Sequence, residues 1–239
     1  MKTWLKTILC VLLFAAIGVL VWWLRERSVE ERVKVLCNAI QIELTGTCRC
    51  LDTEDIRSIV AQRYGAWTGQ SLGEVDLDKI ESILSHQSTV EKADAWVTGD
   101  GSLHLRVLQR TPVARLGKGP DGCYMDAGGH LFPLSDKWEA DVPVFAGTIP
   151  GDPKWLAGAL EFVAFTSGDW RQRIDEINVT RSGELVLRLD GGGEDFLFGG
   201  FDRIEEKMAA ADNYISSVRP LGKGYTSVNL KYSKQLICK

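Results

Sequence analysis

Residues 7–24, TILCVLLFAAIGVLVWWL, carry no charged side chain. No other stretch limits so strongly what the chain can be. As a helix the run measures roughly 27 Å at 1.5 Å per residue, the thickness of a thin or typical bilayer core. Lys2 and Lys6 precede it, Trp22 and Trp23 stand where an interfacial aromatic belt lies, and Arg25 and Arg27 follow. Cations flank both ends, so charge orients the span only weakly. The short N-terminal stub and the large remainder favour an inside N-terminus. A cleaved signal peptide has a shorter apolar run and a small-residue cleavage site, which Trp-Trp-Leu-Arg is not. The reading is a retained single span: a cytoplasmic stub over 1–6, a transmembrane helix over 7–24 and a charged connector over 25–34.

The chain is 45% hydrophobic and 25% charged, which leaves ample material for globular cores beyond the span. A net charge of −4 argues against nucleic acid as an electrostatic partner. The charge is uneven. No Asp or Glu follows Asp212, whereas Arg219, Lys223, Lys231, Lys234 and Lys239 do, so an acidic protein carries a basic segment. Cys10 lies in the span. Cys37, Cys48, Cys50, Cys123 and Cys238 lie outside it and, being odd in number, cannot all pair within the chain. Cys48 and Cys50 are too close in sequence for an easy mutual bridge. A bridge from Cys37 to either needs CNAIQIELTGTC to fold back, and small buried thiols are the simpler reading. There is no Cys-x-x-Cys pair and no His at ligand spacing, so a zinc site is not expected.

Periodicity divides the rest. Ile40, Ile42 and Leu44 alternate as a strand. Asp52 or Thr53 caps a helix with Ile56, Ile59, Val60 and Tyr64 on its apolar face, and Asp76 caps a second with Leu77, Ile80, Ile83 and Leu84. Ala93, Ala95 and Val97, then Leu103, Leu105 and Val107, alternate around the turn TGDGS. Pro112 breaks this pattern. Beyond it, CYMDAGGHLFPL reads as two short strands around a turn. Asp152-Pro153 opens a helix with Leu156, Leu160 and Val163. IDEINVTRSGELVLRLDGGGEDFLFG reads as three strands. Asp202 and Glu205 form a capping box for a helix with the stripe Ile204, Met208, Ala211, Ile215 and Val218. Pro220 and Gly222 end it, and GYTSVNLKYSKQLICK follows as one strand with Val228, Leu230 and Tyr232 alternating.

Several motifs tempt. GQSLG, residues 69–73, matches a nucleophile elbow, but a helix precedes Ser71 and none follows at once. Leu72 and Val75 read instead as loop plugs for the core. GKGPDG, residues 117–122, matches a dinucleotide fingerprint but contains Pro120 and leads into a strand, so it reads as a hairpin turn. NVT, residues 178–180, is a formal glycosylation sequon. His86, His104 and His130 have no reason to converge. No active site, cofactor, metal or small-molecule substrate is expected, and the protein is read as a non-enzyme.

The segments IQIELTG, LDTEDIRSIV, VDLDKIESIL, VEKADAWV and SLHLRVLQRTPVARL, behind one anchor, resemble a POTRA domain. With YMDAGGHLF, VPVFAG and VNLKYSKQLICK in the same order, nearly the whole chain resembles the FtsQ/DivIB family of bacterial cell-division proteins. Gln109 stands where that family carries an acidic residue. The resemblance implies an α+β fold with a POTRA domain (β-α-α-β-β) over 35–112, then a mixed β-sheet domain with two or more helices over 113–239. It implies a single-pass inner-membrane scaffold with extracytoplasmic domains at the division septum. Implied partners are FtsB/DivIC-like and FtsL-like bitopic proteins, with the septal peptidoglycan synthase as a further one, and docking by strand addition at the C-terminal domain. Tyr225, Val228, Leu230, Lys231, Tyr232, Lys234 and Leu236 are the partner-binding residues on this reading. Within that set Val228 and Leu230 are assigned to the core, and Lys231, Lys234 and a tyrosine to the partner. The lysines favour an acidic segment or guard the edge against aggregation. Two other classes remain: a POTRA module of outer-membrane assembly or secretion, and an anchored hydrolase using Ser71.

The anchor has a direct test. In detergent phase partitioning the full chain is expected in the detergent phase and a chain starting near Glu30 in the aqueous phase. Both in the aqueous phase would overturn the span.

Overall fold

The computed structural model of the chain describes residues 12–24, 35–233 and 235–239. The expected stub, residues 7–11 of the expected span with Cys10, the 25–34 connector and Lys234 lie outside the described residues. Helix α1 (12–24) covers the described part of the expected span, and its apolar side chains are exposed. No helix among the described residues is long and apolar enough to cross a membrane. The chain divides into two compact units. One comprises residues up to Thr45 and Leu51–Leu108, the other Gly46–Cys50 and Gln109–Lys239.

The first unit runs β1 (Ala39–Thr45), α2 (Thr53–Arg63), α3 (Leu77–Ser85), β2 (Val90–Val97) and β3 (Ser102–Gln109). This is the expected order, and its physical causes are local. The Asp52 carboxylate accepts from the Asp55 N–H at 2.9 Å, and Asp55 accepts from the Asp52 N–H at 2.8 Å. That reciprocal pair satisfies two donors at the start of α2. Asp76 accepts from the Lys79 N–H at 3.0 Å and starts α3. The helices bury Ile56, Val60, Ile80 and Leu84 completely. β3 lies between β1 and β2 and is parallel to β1, an arrangement that requires a long connection, here made by α2, α3 and β2. Leu103, Leu105 and Val107 point from β3 into this core, and Leu72 and Val75 close it as expected.

The second unit is a nine-stranded sheet in the order β12-β11-β10-β9-β8-β7-β4-β5-β6. Its strands are β4 (Pro112–Leu116), β5 (Cys123–Asp126), β6 (Leu131–Pro133), β7 (Val144–Gly147), β8 (Ile174–Val179), β9 (Leu185–Leu189), β10 (Asp195–Gly199), β11 (Ser227–Asn229) and β12 (Ile237–Cys238). Helices α4 (Pro153–Thr166) and α5 (Ile204–Asn213) supply the crossovers. Phe162 on α4 is fully buried and meets the rings of Phe145 and Phe198 edge-on, at 6.2 and 5.3 Å. The buried face of α4 is Trp155, Ala159, Phe162 and Val163. Val163 lies on it as expected, whereas Leu156 and Leu160 only flank it. Gly158 is required where Phe201 crosses the helix, since a Cβ there would lie 2.3 Å from the ring.

Three expectations are corrected. Cys48 and Cys50 form a disulfide across one residue, with Cα atoms 5.5 Å apart, while Cys37, Cys123 and Cys238 are free thiols. The pair is brought together in a small cluster with Tyr124, Phe132 and Ala140. Strand side chains alternate between faces, so β5 sends Met125 into the main core and Tyr124 into this second cluster. Second, the capping box of α5 does not form. Asp202 binds Lys207 Nζ at 2.9 Å instead, and Arg203 precedes the helix without a side-chain cap. Third, the expected helical stripe stops at Asn213. A π-turn over Tyr214–Val218 shifts the phase, turning Tyr214 into the core and leaving Ile215 and Val218 half-buried.

That phase shift has a cause in Glu194, which is buried between β9 and β10. The Tyr214 hydroxyl donates to it at 3.0 Å, and Arg219 donates through Nε and Nη2 at 3.1 and 3.2 Å. Burial pushes the Glu194 carboxyl up, but hydrogen bonds from its own backbone N–H, Arg219 and Tyr214, with the Arg219 charge, outweigh it and hold the pKa low. Tyr214 is pushed up to about 12 by burial and then by Glu194.

Phe162→Ala is expected to cost about 3–5 kcal/mol and lower the melting midpoint accordingly. The Glu194 contribution is present above its unfolded pKa of about 4.3 and is lost as pH falls through the lower folded value. The Tyr214 contribution is present below its unfolded pKa of about 10 and is lost as pH rises through the folded value. The melting advantage of the parent chain over Glu194→Gln is therefore expected to peak between these limits. A constant difference across pH would refute the linkage.

Candidate functional site

The segment expected as one strand is two. Strand β11 runs parallel to β10, with Phe196 opposite Val228, and β12 returns antiparallel to β11, with Val228 opposite Cys238. Lys239 and Ser227 exchange both of their backbone bonds, at 3.0 and 3.1 Å. Alternation along an antiparallel pair then turns the N–H and C=O of Cys238 away from β11, toward the outer side of the sheet. Among the described residues no strand pairs with that side of β12. The other sheet end, β6, terminates in Pro133, which cannot donate to an incoming strand.

Each expected partner residue has a definite place. Val228 and Leu230 are 0% and 2% exposed and belong to the core. That matches their assignment to the core within the segment. Tyr225 and Leu236 pack half-buried at the core's margin. Lys231, expected to face the partner, binds Glu184 through its ammonium at 2.5 Å. Gly199, at φ 80°, makes room for its stem, since a Cβ there would sit 3.0 Å from Lys231 Cγ. Tyr232 is 54% exposed. Lys234 lies outside the described residues. Sequence reasoning missed Ile237, 40% exposed on β12 itself, because a single-strand reading gives no reason to single it out.

Leu230, Tyr232, Gln235 and Leu236, between β11 and β12, border a cleft of 460 Å³ against α5, whose other lining includes Arg203, Glu206 and Ala210. The site therefore offers backbone donors and acceptors at β12, two exposed apolar side chains and an apolar recess with charged rims. Its basicity is smaller than the sequence implies. Arg219 is tied to Glu194 and Lys231 to Glu184, which among the described residues of the segment leaves Lys223 and Lys239 as exposed cations.

The residues of the tempting motifs have local partners. Ser71 is 8% exposed and bridges to Leu36. His86 bonds to Ser82, His104 to Thr98 and His130 to Asp126. Residues 117–122 form the turn between β4 and β5. Two larger clefts, of 640 and 580 Å³, share Asp141, Val142, Pro143 and Arg171, and an ion pair of Arg171 with Asp141 at 2.7 Å stands between them.

Residues 111–239 match the family model described as FtsQ/DivIB, C-terminal related, and residues 35–108 match the one described as a POTRA-like domain. No curated protein matches the chain.

Urea unfolding separates core from surface in this segment. Leu230→Ala is expected to cost about 2–5 kcal/mol, Lys231→Glu up to about 1 kcal/mol, and Tyr232→Ala within about 0.5 kcal/mol of zero.

Proposed function

We propose that this chain, which belongs to the FtsQ/DivIB family and is on that ground a cell-division protein, is a non-catalytic membrane scaffold that docks a partner strand on β12. The observation that carries this is the outward-facing, unpaired side of β12 at the end of a nine-stranded sheet. An edge of that kind binds an extended segment through main-chain hydrogen bonds, while neighbouring side chains select the segment. Tyr232 and Ile237 are the exposed apolar anchors, and Tyr is a residue type that dominates such interfaces. Lys223 and Lys239 favour an acidic segment and speed its encounter.

On this reading residues 7–24 anchor the protein once in the inner membrane. The N-terminus is cytoplasmic, and both folded units are extracytoplasmic at the division septum. The partners are FtsB/DivIC-like and FtsL-like bitopic proteins, and the complex links assembly of the division machinery to septal peptidoglycan synthesis. The POTRA-like unit is a second interaction module. Its helices cover one sheet face, and the other carries Trp96 stacked on His104 at 5.2 Å, with Arg106 bonded to Glu43 at 2.9 Å.

The test uses the full chain and synthetic peptides tiling the extracytoplasmic part of the FtsB-like protein of the same cell. One peptide is expected to bind. Tyr232→Ala is expected to weaken it about thirtyfold, a loss of about 2 kcal/mol. Cys238→Pro removes the outward N–H without taking a donor from the β11 ladder, and is expected to abolish binding while the melting midpoint stays close to that of the parent. Unchanged affinity in both variants would sink docking at this edge.

A further inference from the structure

Among the described residues, Arg203 is the single residue other than glycine with positive φ, at 51°. A side chain with a Cβ is disfavoured there, and glycine is not. The chain has glycines at hand: Gly199 and Gly200 stand just upstream, Gly199 itself at φ 80°. Arg203 makes no side-chain cap bond to the start of α5.

What Arg203 does instead is visible in its guanidinium. Nη2 donates to the Lys231 carbonyl at 2.9 Å. Nη1 reaches Glu206 at 3.3 Å, and Nε reaches Asp202 at 3.1 Å. The other Glu206 oxygen accepts from the Ser233 hydroxyl at 2.9 Å. From the opposite direction, the Lys231 N–H donates to the Asn229 side chain at 3.0 Å and its ammonium binds Glu184 at 2.5 Å. The first turn of the segment joining β11 to β12 is thus gripped at a carbonyl, an amide, an ammonium and a hydroxyl. Tyr232 stands between two of the gripped residues.

We propose that Arg203 is a positioning residue for the docking edge: its strained backbone is retained because its guanidinium fixes residues 231–233, and through them the placement of Tyr232 and β12. This rests on the docking reading above. A purely structural arginine would add stability. A positioning arginine held in strain orders the edge at the expense of stability, and the two roles separate experimentally.

The experiment compares the full chain with Arg203→Gly and Arg203→Ala by hydrogen exchange, thermal melting and binding of the peptide identified above. Both variants are expected to speed exchange across residues 231–238 about tenfold while α4, β8 and β9 are unchanged. Arg203→Gly, relieved of the strain, is expected to melt above Arg203→Ala, yet to bind the peptide about fivefold more weakly than the parent. Unchanged exchange in both variants overturns the proposal. So does Arg203→Gly melting as low as Arg203→Ala, or a loosened edge with parental affinity. A parent chain that binds no peptide overturns the docking reading instead, and the exchange data then judge the grip on 231–233 alone.

Discussion

The parallel ladder between β10 and β11 is the constraint on which the candidate site depends. Parallel neighbours cannot be joined by a tight turn, so the chain must leave β10, cross the sheet and return. Helix α5, the π-turn and the segment through Gly224 make that return. Its landing point is set by Glu194, which draws Tyr214 and Arg219 onto the start of β10. A buried carboxylate is tolerable only with such partners, and here the partners come from the returning chain itself. Val228 then enters opposite Phe196, both fully buried, and β12 has a strand to pair with. Without the landing there is no outer edge.

The same logic of shared burial shapes the far end of the sheet. β5 joins two clusters, sending Met125 into the main core and Tyr124 into the one that holds Cys48, Cys50 and Phe132. Residues Gly46–Cys50 therefore belong to the second unit although they directly follow β1 in the chain. A short disulfide loop suits this place because Cys48 and Cys50 are 2% and 7% exposed and fill it as apolar groups.

The charge of the C-terminal segment shows how far a linear count misleads. Five cations with no acid among them read as a basic surface. Folding brings Glu184 and Glu194 beside two of them, and those lysine and arginine groups become ties within the unit. The described part of the segment is correspondingly less basic than its residue count, and Tyr232 and Ile237 stand exposed on it.

The sequence by itself determined the local elements. Capping at Asp52, Asp76 and Asp152, the alternation in β3 and the turns around 117–122 and 127–130 are all set by neighbours a few residues apart, so they were legible in the order of residues. Val228 and Leu230 were legible as core for the same reason: a period of two has one buried face. Tertiary structure alone decided the rest. The Cys48–Cys50 bridge, the phase of α5, the split of the last strand into β11 and β12, and the tie of Lys231 to Glu184 each depend on partners distant in sequence. No local pattern encodes which distant carboxylate or ring will arrive, because that is fixed only when the nine strands take their order in the sheet.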